Sequence, residues 1–260
     1  MKRVFLSLVF LAFAGGAQAQ VVLVNSSAAP YNDLIVAQTR AMPAFGGYSA
    51  SHQASVNLAG SVSLGGQEGV RVDAERAQPS YCSGATYLVL LKTVGALVGR
   101  GQVSPDERGL AALLVRGQRD GEGVWGRWNA NGPGTARLFY ETGAGENFTD
   151  FARARPGDFM KIFWNDKVGR REHGHSVVFL GVGNVNGVDS VTFWSSNLGA
   201  GYGEKTVPRS KISAAIFSRL LNPRALLQAG AVLPKIDPYL ASLLSADSSQ
   251  AEVRQNCGMR

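Results

Sequence analysis

Two residues of the chain have the types and the placement for nucleophilic catalysis. Cys82 stands at the start of an apolar, helix-like run, and His175, preceded by Gly174, opens a strand-like run further along the chain. A thiol at the N-terminus of a helix meets the positive end of the helix dipole, which lowers its pKa and raises the thiolate fraction at neutral pH. The two residues therefore predict a thiol nucleophile and its base.

A third residue could orient the base. The strands that follow His175 form a predicted β-hairpin, because Asn-Gly between two apolar runs is a strong hairpin signal. If the hairpin loop has three or five residues, His175 lies opposite Asn197, with Ser195 as a diagonal neighbour on the same face. An amide oxygen in that position accepts a hydrogen bond from the imidazole and fixes its tautomer.

The pairing of the base depends on the turn. A two-residue turn at Asn186 and Gly187 would place His175 opposite Leu198, unless a bulge at Gly181 or Gly183 shifts the register. The sequence alone permits both arrangements.

The first nineteen residues predict a secretion signal. Lys2 and Arg3 form a basic start, residues 4–14 are apolar, and Ala17-Gln18-Ala19 is a small-residue cleavage site. The apolar stretch is too short to span a bilayer, and we identify no other stretch of eighteen consecutive apolar residues. We therefore expect an exported bacterial protein, periplasmic or extracellular, without a membrane span.

The charge of the chain does not indicate nucleic-acid binding. The formal net charge is +7, but Arg153, Arg155, Arg170 and Arg171 are scattered, and no dense basic block with interleaved aromatic residues occurs. We expect no nucleic-acid partner and no cofactor. The sequence does not determine the oligomeric state.

The two cysteines allow other interpretations of Cys82. In an oxidising compartment, Cys82 and Cys257 could form a disulfide, or Cys82 could be a small buried core residue. His173 and His175 alternate onto one strand face and could bind a metal with Glu172, but zinc sites generally need three or four ligands and the remaining histidine is distant. We predict no metal site.

The pattern of apolar residues predicts a helix followed by an antiparallel meander, which is an α+β fold. Helices are predicted at 32–41, 49–58, 81–98, from 104 to about 117, 211–221 and 238–244, and strands at 70–72, 159–164, 176–182 and 188–194. Asp158 follows Pro156-Gly157, which indicates a turn before a strand. The glycine-rich segment 121–134 is predicted as a loop that exposes Trp125 and Trp128, either to line a binding cleft or to cover an edge of the core.

Three segments in order resemble the papain-like cell-wall hydrolases of the NlpC and CHAP groups. They are Tyr81-Cys82-Ser83-Gly84 at a helix start, Arg155-Pro156-Gly157-Asp158-Phe159 before a strand, and the strand from Gly174-His175 to Gly181. The resemblance covers residues 79–200. It implies a papain-like fold in which Cys82 attacks a peptide or amide carbonyl, His175 transfers the proton, and Asn197 orients His175. Many members of these groups have His or Glu where this chain has Asn197.

These inferences divide the chain into a signal peptide (1–19), an N-terminal extension (20–78), a papain-like catalytic core (79–206), and C-terminal helices with a loose tail (207–260). We expect a cysteine peptidase or amidase that cleaves the stem peptide of peptidoglycan or the sugar-peptide amide; an acyltransferase would use the same thioester chemistry. Tyr81, Trp125, Trp128 and Ser195 are the expected substrate-binding residues. The alternative is a non-catalytic envelope-binding domain of the same shape, in which the two tryptophans hold glycan or peptide.

Overall fold

The computed structural model describes residues 29–66, 69–104 and 107–259 of the chain. The predicted signal peptide (1–19) and the first residues of the N-terminal extension lie outside these ranges. So do Pro105 and Asp106, which belong to the predicted helix start at 104. The described fold begins at Ala29.

The middle of the chain has a run of helices followed by a run of strands, as expected for an α+β protein. The helices are α1 (Asn32–Arg40), α2 (His52–Gly60), α3 (Cys82–Gly99), α4 (Glu107–Ala112), α5 (Gly123–Asn129), α6 (Gly134–Thr142), α7 (Pro223–Leu227), α8 (Ala229–Val232), α9 (Pro238–Ser242) and α10 (Gln250–Asn256). The strands are β1 (Phe45–Gly46), β2 (Val62–Leu64), β3 (Val70–Val72), β4 (Gly145–Phe148), β5 (Phe159–Phe163), β6 (Val168–Gly169), β7 (Gly174–Val185), β8 (Val188–Asn197), β9 (Gly201–Pro208), β10 (Ala214–Leu220) and β11 (Asp247–Ser248).

One antiparallel sheet organises the described residues. Its seven strands follow the order β1-β9-β8-β7-β5-β10-β4, and two small sheets, β2-β3 and β6-β11, lie outside it. Helix α3 packs against β7 and β8 near the centre of the sheet. The α+β class is therefore confirmed, with the helix that begins at Cys82 packed on an antiparallel sheet.

Helix α3 is the apolar centre of the fold. It is long and apolar enough to cross a bilayer by length and composition, yet 72% of it is buried inside the protein. Thr86 and Thr93 sit in this buried helix because their hydroxyls donate to the carbonyl oxygens of Cys82, at 3.1 Å, and Val89, at 2.8 Å. Burying each large aliphatic side chain contributes about 1.5–3 kcal/mol, so packing outweighs the low helix propensity of the β-branched residues.

The β7-β8 hairpin has a two-residue turn. Asn186 and Gly187 both have positive φ, of 51° and 82°, which is the conformation that an Asn-Gly hairpin turn requires. Val185 pairs with Val188, so the turn by itself would put His175 opposite Leu198.

A bulge then corrects the pairing. The register shifts by one residue between Phe179 and Gly181, and beyond the bulge Val178 pairs with Trp194. The same register, continued three residues back along β7 and three residues forward along β8, brings His175 level with Asn197. The predicted facing of His175 and Asn197 is confirmed, through the two-residue turn plus a bulge at Gly181 and without an odd loop.

The prediction of a helix at 211–221 is wrong. The segment forms β10, which pairs with β5 on one side and with β4 on the other and is buried along nearly its whole length. A strand buried on both faces has a continuous apolar run instead of alternation, and periodicity does not distinguish such a run from a helix. Pairing with β5 and β4 makes this segment a strand.

The prediction of an exposed glycine-rich loop at 121–134 is also wrong. The segment contains α5, and Trp125 and Trp128 are only 4% and 2% exposed. Trp125 packs on Tyr87 and Trp128 on Phe159, each with ring centroids 5.0 Å apart. Gly126 is required for close packing, since a Cβ there would overlap the carbonyl oxygen of Arg119. The tryptophans belong to the core, so we no longer assign them to substrate binding.

The C-terminal tail is not loose. Helix α10 begins with a capping box, in which Ser249 and Glu252 satisfy each other's backbone N–H groups. Arg137 donates to the carbonyl oxygen of Asn256 at 2.7 Å, and Cys257 is 1% exposed. The last helix therefore packs on the body of the protein.

A buried ion pair anchors the start of β5. Asp158 is fully buried and accepts two hydrogen bonds from Arg219, at 2.9 and 2.8 Å, and one from Asn32, at 2.8 Å. It also accepts the backbone N–H of Arg155 at 2.8 Å. The carboxylate thereby joins α1, β5 and β10, consistent with its predicted position in a turn before a strand.

Candidate active site

The nucleophile candidate lies at the N-terminus of α3. Tyr81 is extended, with φ −119° and ψ 168°, and the helix begins at Cys82. The first intrahelical bond runs from the N–H of Ala85 to the carbonyl oxygen of Tyr81 at 2.9 Å. The N–H groups of the first turn have no helical acceptor, and their positive dipoles surround the partly buried Cys82 thiol.

The surroundings of Cys82 favour the thiolate. Burial opposes ionisation and acts to raise the pKa of the thiol. The His175 ring counters burial, first by a hydrogen bond to the sulfur and then by its charge. The Ser176 backbone N–H and the Lys161 ammonium add further stabilisation, and the pKa of Cys82 falls from 9.0 to about 7. A substantial fraction of the thiol is therefore ionised at neutral pH.

Asn197 holds the histidine ring. Its Oδ1 lies 3.3 Å from Nε2 of His175. The amide Nδ2 of Asn197 donates to the carbonyl oxygens of Gly203, at 2.8 Å, and Ser195, at 3.3 Å, so its oxygen is turned toward the ring. Because Nε2 is bound to the amide oxygen, Nδ1 is the ring nitrogen left for the thiol proton. The bulge in β7 is what makes this contact possible.

Aromatic side chains flank the histidine. Trp164 lies 6.3 Å from the His175 ring centroid, inclined by 30°, and Phe193 lies 5.7 Å away, nearly edge-on. Both restrict the ring positions that His175 can adopt.

Cys82 opens into a cleft of about 410 Å³. One wall comes from the segment before α3. The other comes from the end of α5 and the connections on either side of it, from β5, and from the β6-β7 connection with the start of β7. The lining side chains with polar groups are Tyr48, Ser55, Tyr81, Cys82, Ser83, Asp120, Asn129, Asn131, Lys161, Glu172 and Ser176. The N-terminal extension thus forms part of the site.

The polar groups of the second wall are ordered by hydrogen bonds. Ser83 donates from its hydroxyl to Oδ1 of Asn129 at 2.6 Å, which fixes that amide beside the nucleophile. Lys161 and Glu172 form an ion pair at 2.7 Å. Gly174 leaves room for this pair, since a Cβ there would lie 2.6 Å from Glu172 and 2.7 Å from Lys161. A side chain at position 174 would therefore collide with the charged pair, which is a physical reason for the glycine before His175.

The structure brings most of the predicted site residues together and places others in the core. Cys82, His175 and Asn197 come together, and Tyr81 lines the cleft with its hydroxyl 3.4 Å from that of Ser55. Ser195 is fully buried and donates to the carbonyl oxygen of Ser176 at 2.7 Å, so its assignment to substrate binding is wrong. It stabilises the hairpin instead.

Most of the cleft wall was not predicted. One residue carried a signal, because Lys161 is the charged residue within the apolar strand 159–163. Asp120 and Asn131 lie on the connections before and after α5, and Asn129 is the last residue of that helix. Their approach to Cys82 depends on the packing of α5 and α6, and their spacing in sequence indicates no site.

The disulfide interpretation of the cysteines is wrong. Cys82 and Cys257 are both free, and Cys257 is buried in a separate core cluster with Val168 and Val253. Burial raises the pKa of Cys257 to about 12, which keeps it protonated. Cys82 lines an open cleft and is not a core residue. Within residues 29–66, 69–104 and 107–259, no group of three or more His, Cys, Asp or Glu side chains could hold a metal ion.

Comparison of the chain with family models, with curated proteins and with solved structures finds no match. The resemblance to NlpC and CHAP hydrolases stays a prediction.

Proposed function

We propose that the chain is an exported cysteine peptidase or amidase with a papain-like catalytic core, and that it hydrolyses peptide or amide bonds through a thioester. One arrangement carries this proposal: a thiol at a helix N-terminus beside a histidine that lowers its pKa, with Nε2 of that histidine 3.3 Å from an asparagine oxygen. Nucleophile, base and orienting residue in this order are the parts that thiol acyl transfer requires.

The first half of the reaction forms the acyl-enzyme. The Cys82 sulfur attacks the carbonyl carbon, and the π electrons of the carbonyl move onto its oxygen. When the tetrahedral intermediate collapses, the C–N bond breaks and protonated His175 gives its proton to the leaving nitrogen. An amine leaves, and the acyl group stays on sulfur as a thioester.

The negative oxygen of the intermediate needs donors on the cleft side of Cys82. The backbone N–H of Cys82 belongs to the first turn of α3 and has no helical acceptor. The Asn129 amide, held through its oxygen by Ser83, directs its N–H groups away from that bond. We assign these two groups to the oxyanion site, the kind of preorganised donor pair that stabilises such intermediates.

The second half of the reaction regenerates the thiol. Neutral His175 takes a proton from water, the hydroxide attacks the thioester carbon, and the C–S bond breaks to release a carboxylic acid. If an amine replaces water, the same steps make the chain an acyltransferase. Analysis of the products distinguishes a new carboxylate from a new amide.

The substrate class follows from compartment and family resemblance. A secretion signal at residues 1–19 would deliver the protein to the cell envelope, where the stem peptides of peptidoglycan are the abundant peptide substrate. The cleft itself supports a polar substrate, since most side chains on its walls are polar or charged.

Digestion of purified sacculi tests the proposal. We expect the wild-type protein to release new amine and carboxyl ends, detected by mass spectrometry, and the Cys82→Ala variant to release none. Cys257→Ala is the matched control, because it removes the other thiol, and should retain activity. Equal product release by wild type and Cys82→Ala would refute the proposal. Sacculus binding by both proteins without any product would support the non-catalytic envelope-binding alternative instead.

A further inference from the structure

The cleft contains a carboxylate without a cationic partner. Glu172 is paired with Lys161 at 2.7 Å and also accepts the backbone N–H groups of Gly132, at 2.6 Å, and Gly169, at 2.8 Å. Asp120 accepts only the N–H of Asn131, at 3.2 Å, and among the described residues no lysine, arginine or histidine side chain forms an ion pair with it. The one ammonium on this wall is thus already engaged.

The position of Asp120 is fixed by buried contacts. The next residue, Gly121, accepts hydrogen bonds on its carbonyl oxygen from Arg127 and from the backbone of Asp237, both at 2.8 Å. Arg127 is fully buried and forms an ion pair with Glu141 at 2.7 Å. The backbone next to Asp120 is therefore held in place before a ligand binds, which limits the conformational entropy lost on binding.

The surroundings of Asp120 disfavour its charge in the free protein. Burial is the main cause that raises the pKa of Asp120, and the charge of Glu172 acts in the same direction. The Asn131 N–H and the Lys161 charge lower the pKa but do not outweigh these causes. A cation bound at this carboxylate would stabilise the ionised form.

We infer that Asp120 is a specificity-determining residue that binds a primary ammonium group of the substrate in the cleft beside Cys82. The inference rests on the proposed hydrolysis of peptides at Cys82. It narrows the substrate class to peptides with a free amine near the bond that is cleaved. The amine belongs either to a peptide N-terminus or to the side chain of a diamino acid, since both present the same ammonium chemistry.

Paired substrates test this inference. We would prepare soluble muropeptides and free stem peptides from sacculi and acetylate half of each sample with acetic anhydride, which removes the charge of every primary amine. For the wild-type protein we expect kcat/KM to fall at least tenfold on acetylation. Muropeptides have their first amine bound in an amide to the sugar acid, so an effect in that sample identifies the side-chain amine. An effect restricted to free stem peptides identifies the N-terminal amine.

The decisive variant is Asp120→Asn. Asparagine keeps an oxygen for the Asn131 N–H but loses the charge, so the fold is preserved and the ammonium contact is weakened. We expect the variant to cleave native and acetylated substrates at similar rates, with the loss mainly in KM. Asp166→Asn is the matched control, because Asp166 is an exposed carboxylate paired with Lys167 outside the cleft, and it should discriminate as the wild type does.

Binding measurements separate the failure of this inference from the failure of the proposed function. In the Cys82→Ala background, calorimetry measures the affinity for native and acetylated peptides whether or not hydrolysis occurs. Weaker binding after acetylation, abolished by Asp120→Asn, would support the ammonium site even if the wild type proved inactive. Two results would overturn the site even if Cys82 proved catalytic. One is a difference in affinity between native and acetylated peptides that persists in Asp120→Asn, and the other is a wild-type affinity that does not change on acetylation.

Discussion

Replacing His175 with alanine should remove the lowered pKa of Cys82. The histidine supplies both a hydrogen bond and a charge to the sulfur, whereas the burial that opposes ionisation remains after the substitution. We therefore expect the pKa to rise from about 7 to its ordinary value of 9.0 or above. Two pKa units correspond to about 2.7 kcal/mol of thiolate stabilisation. At pH 7, the ionised fraction would fall from about one half to about one in a hundred.

The rate of alkylation by iodoacetamide, measured from pH 5 to 10, reports this pKa because the thiolate is the reacting form. The informative quantity is the midpoint of the profile. The rate at a single pH is less useful, since a more basic thiolate is also a better nucleophile. Wild type should titrate near pH 7, and His175→Ala at pH 9 or higher. Cys257 is buried with a raised pKa and should not contribute below pH 10.

A second variant checks that the shift is specific. His173 is exposed and lies just before β7, two residues before His175, so His173→Ala removes a neighbouring histidine without removing the partner of Cys82. Its midpoint should match that of the wild type. A wild-type midpoint near 9, or a midpoint of His175→Ala that remains near 7, would refute the assigned thiol-imidazole pair.

Three further variants test the support of the site. Asn197→Ala removes one neutral hydrogen bond to His175, at 3.3 Å, so kcat/KM should fall only about tenfold; an unchanged value would exclude the orienting role. Asn129→Ala should lower kcat roughly 10²–10³-fold and leave the iodoacetamide reactivity of Cys82 unchanged. Asn222→Ala is the control, because the Asn222 side chain caps no helix, and it should leave kcat unchanged. Asp158→Ala leaves the buried Arg219 with the partly exposed Glu146, at 3.3 Å, as its remaining ion-pair partner. The substitution should lower the free energy of unfolding in urea by about 3 kcal/mol, and a loss below about 1 kcal/mol would contradict this account.

Local sequence signals located the proposed nucleophile and its proposed base. A cysteine before a long apolar helix and a histidine at the start of a strand are patterns set by neighbours in the chain, and the structure has Cys82 and His175 at those element starts. The Asn186-Gly187 turn was also predictable, because the positive φ values that the turn requires are a local property of these two residues. Such features need no knowledge of distant contacts.

Features that depend on contacts between segments far apart in the chain were predicted wrongly or not at all. The segment that forms β10 is buried on both faces, and its pairing with β5 and β4 makes it a strand. Trp125 and Trp128 looked exposed among glycines, but the glycines permit close helix packing that buries both rings. The tail at Cys257 looked loose until its contacts with α6 and β4 were known.

The chain by itself determined the class of fold and the chemical identity of Cys82 and His175, since helix, strand and turn signals are properties of short segments. The tertiary structure decided whether Asn197 faces His175, because a single-residue bulge between Phe179 and Gly181 sets that register. It also decided the walls of the cleft, where Asp120 and its neighbours line the same cavity as the Cys82 thiol. Their meeting depends on side-chain packing between segments far apart in the chain, and that information has no local pattern.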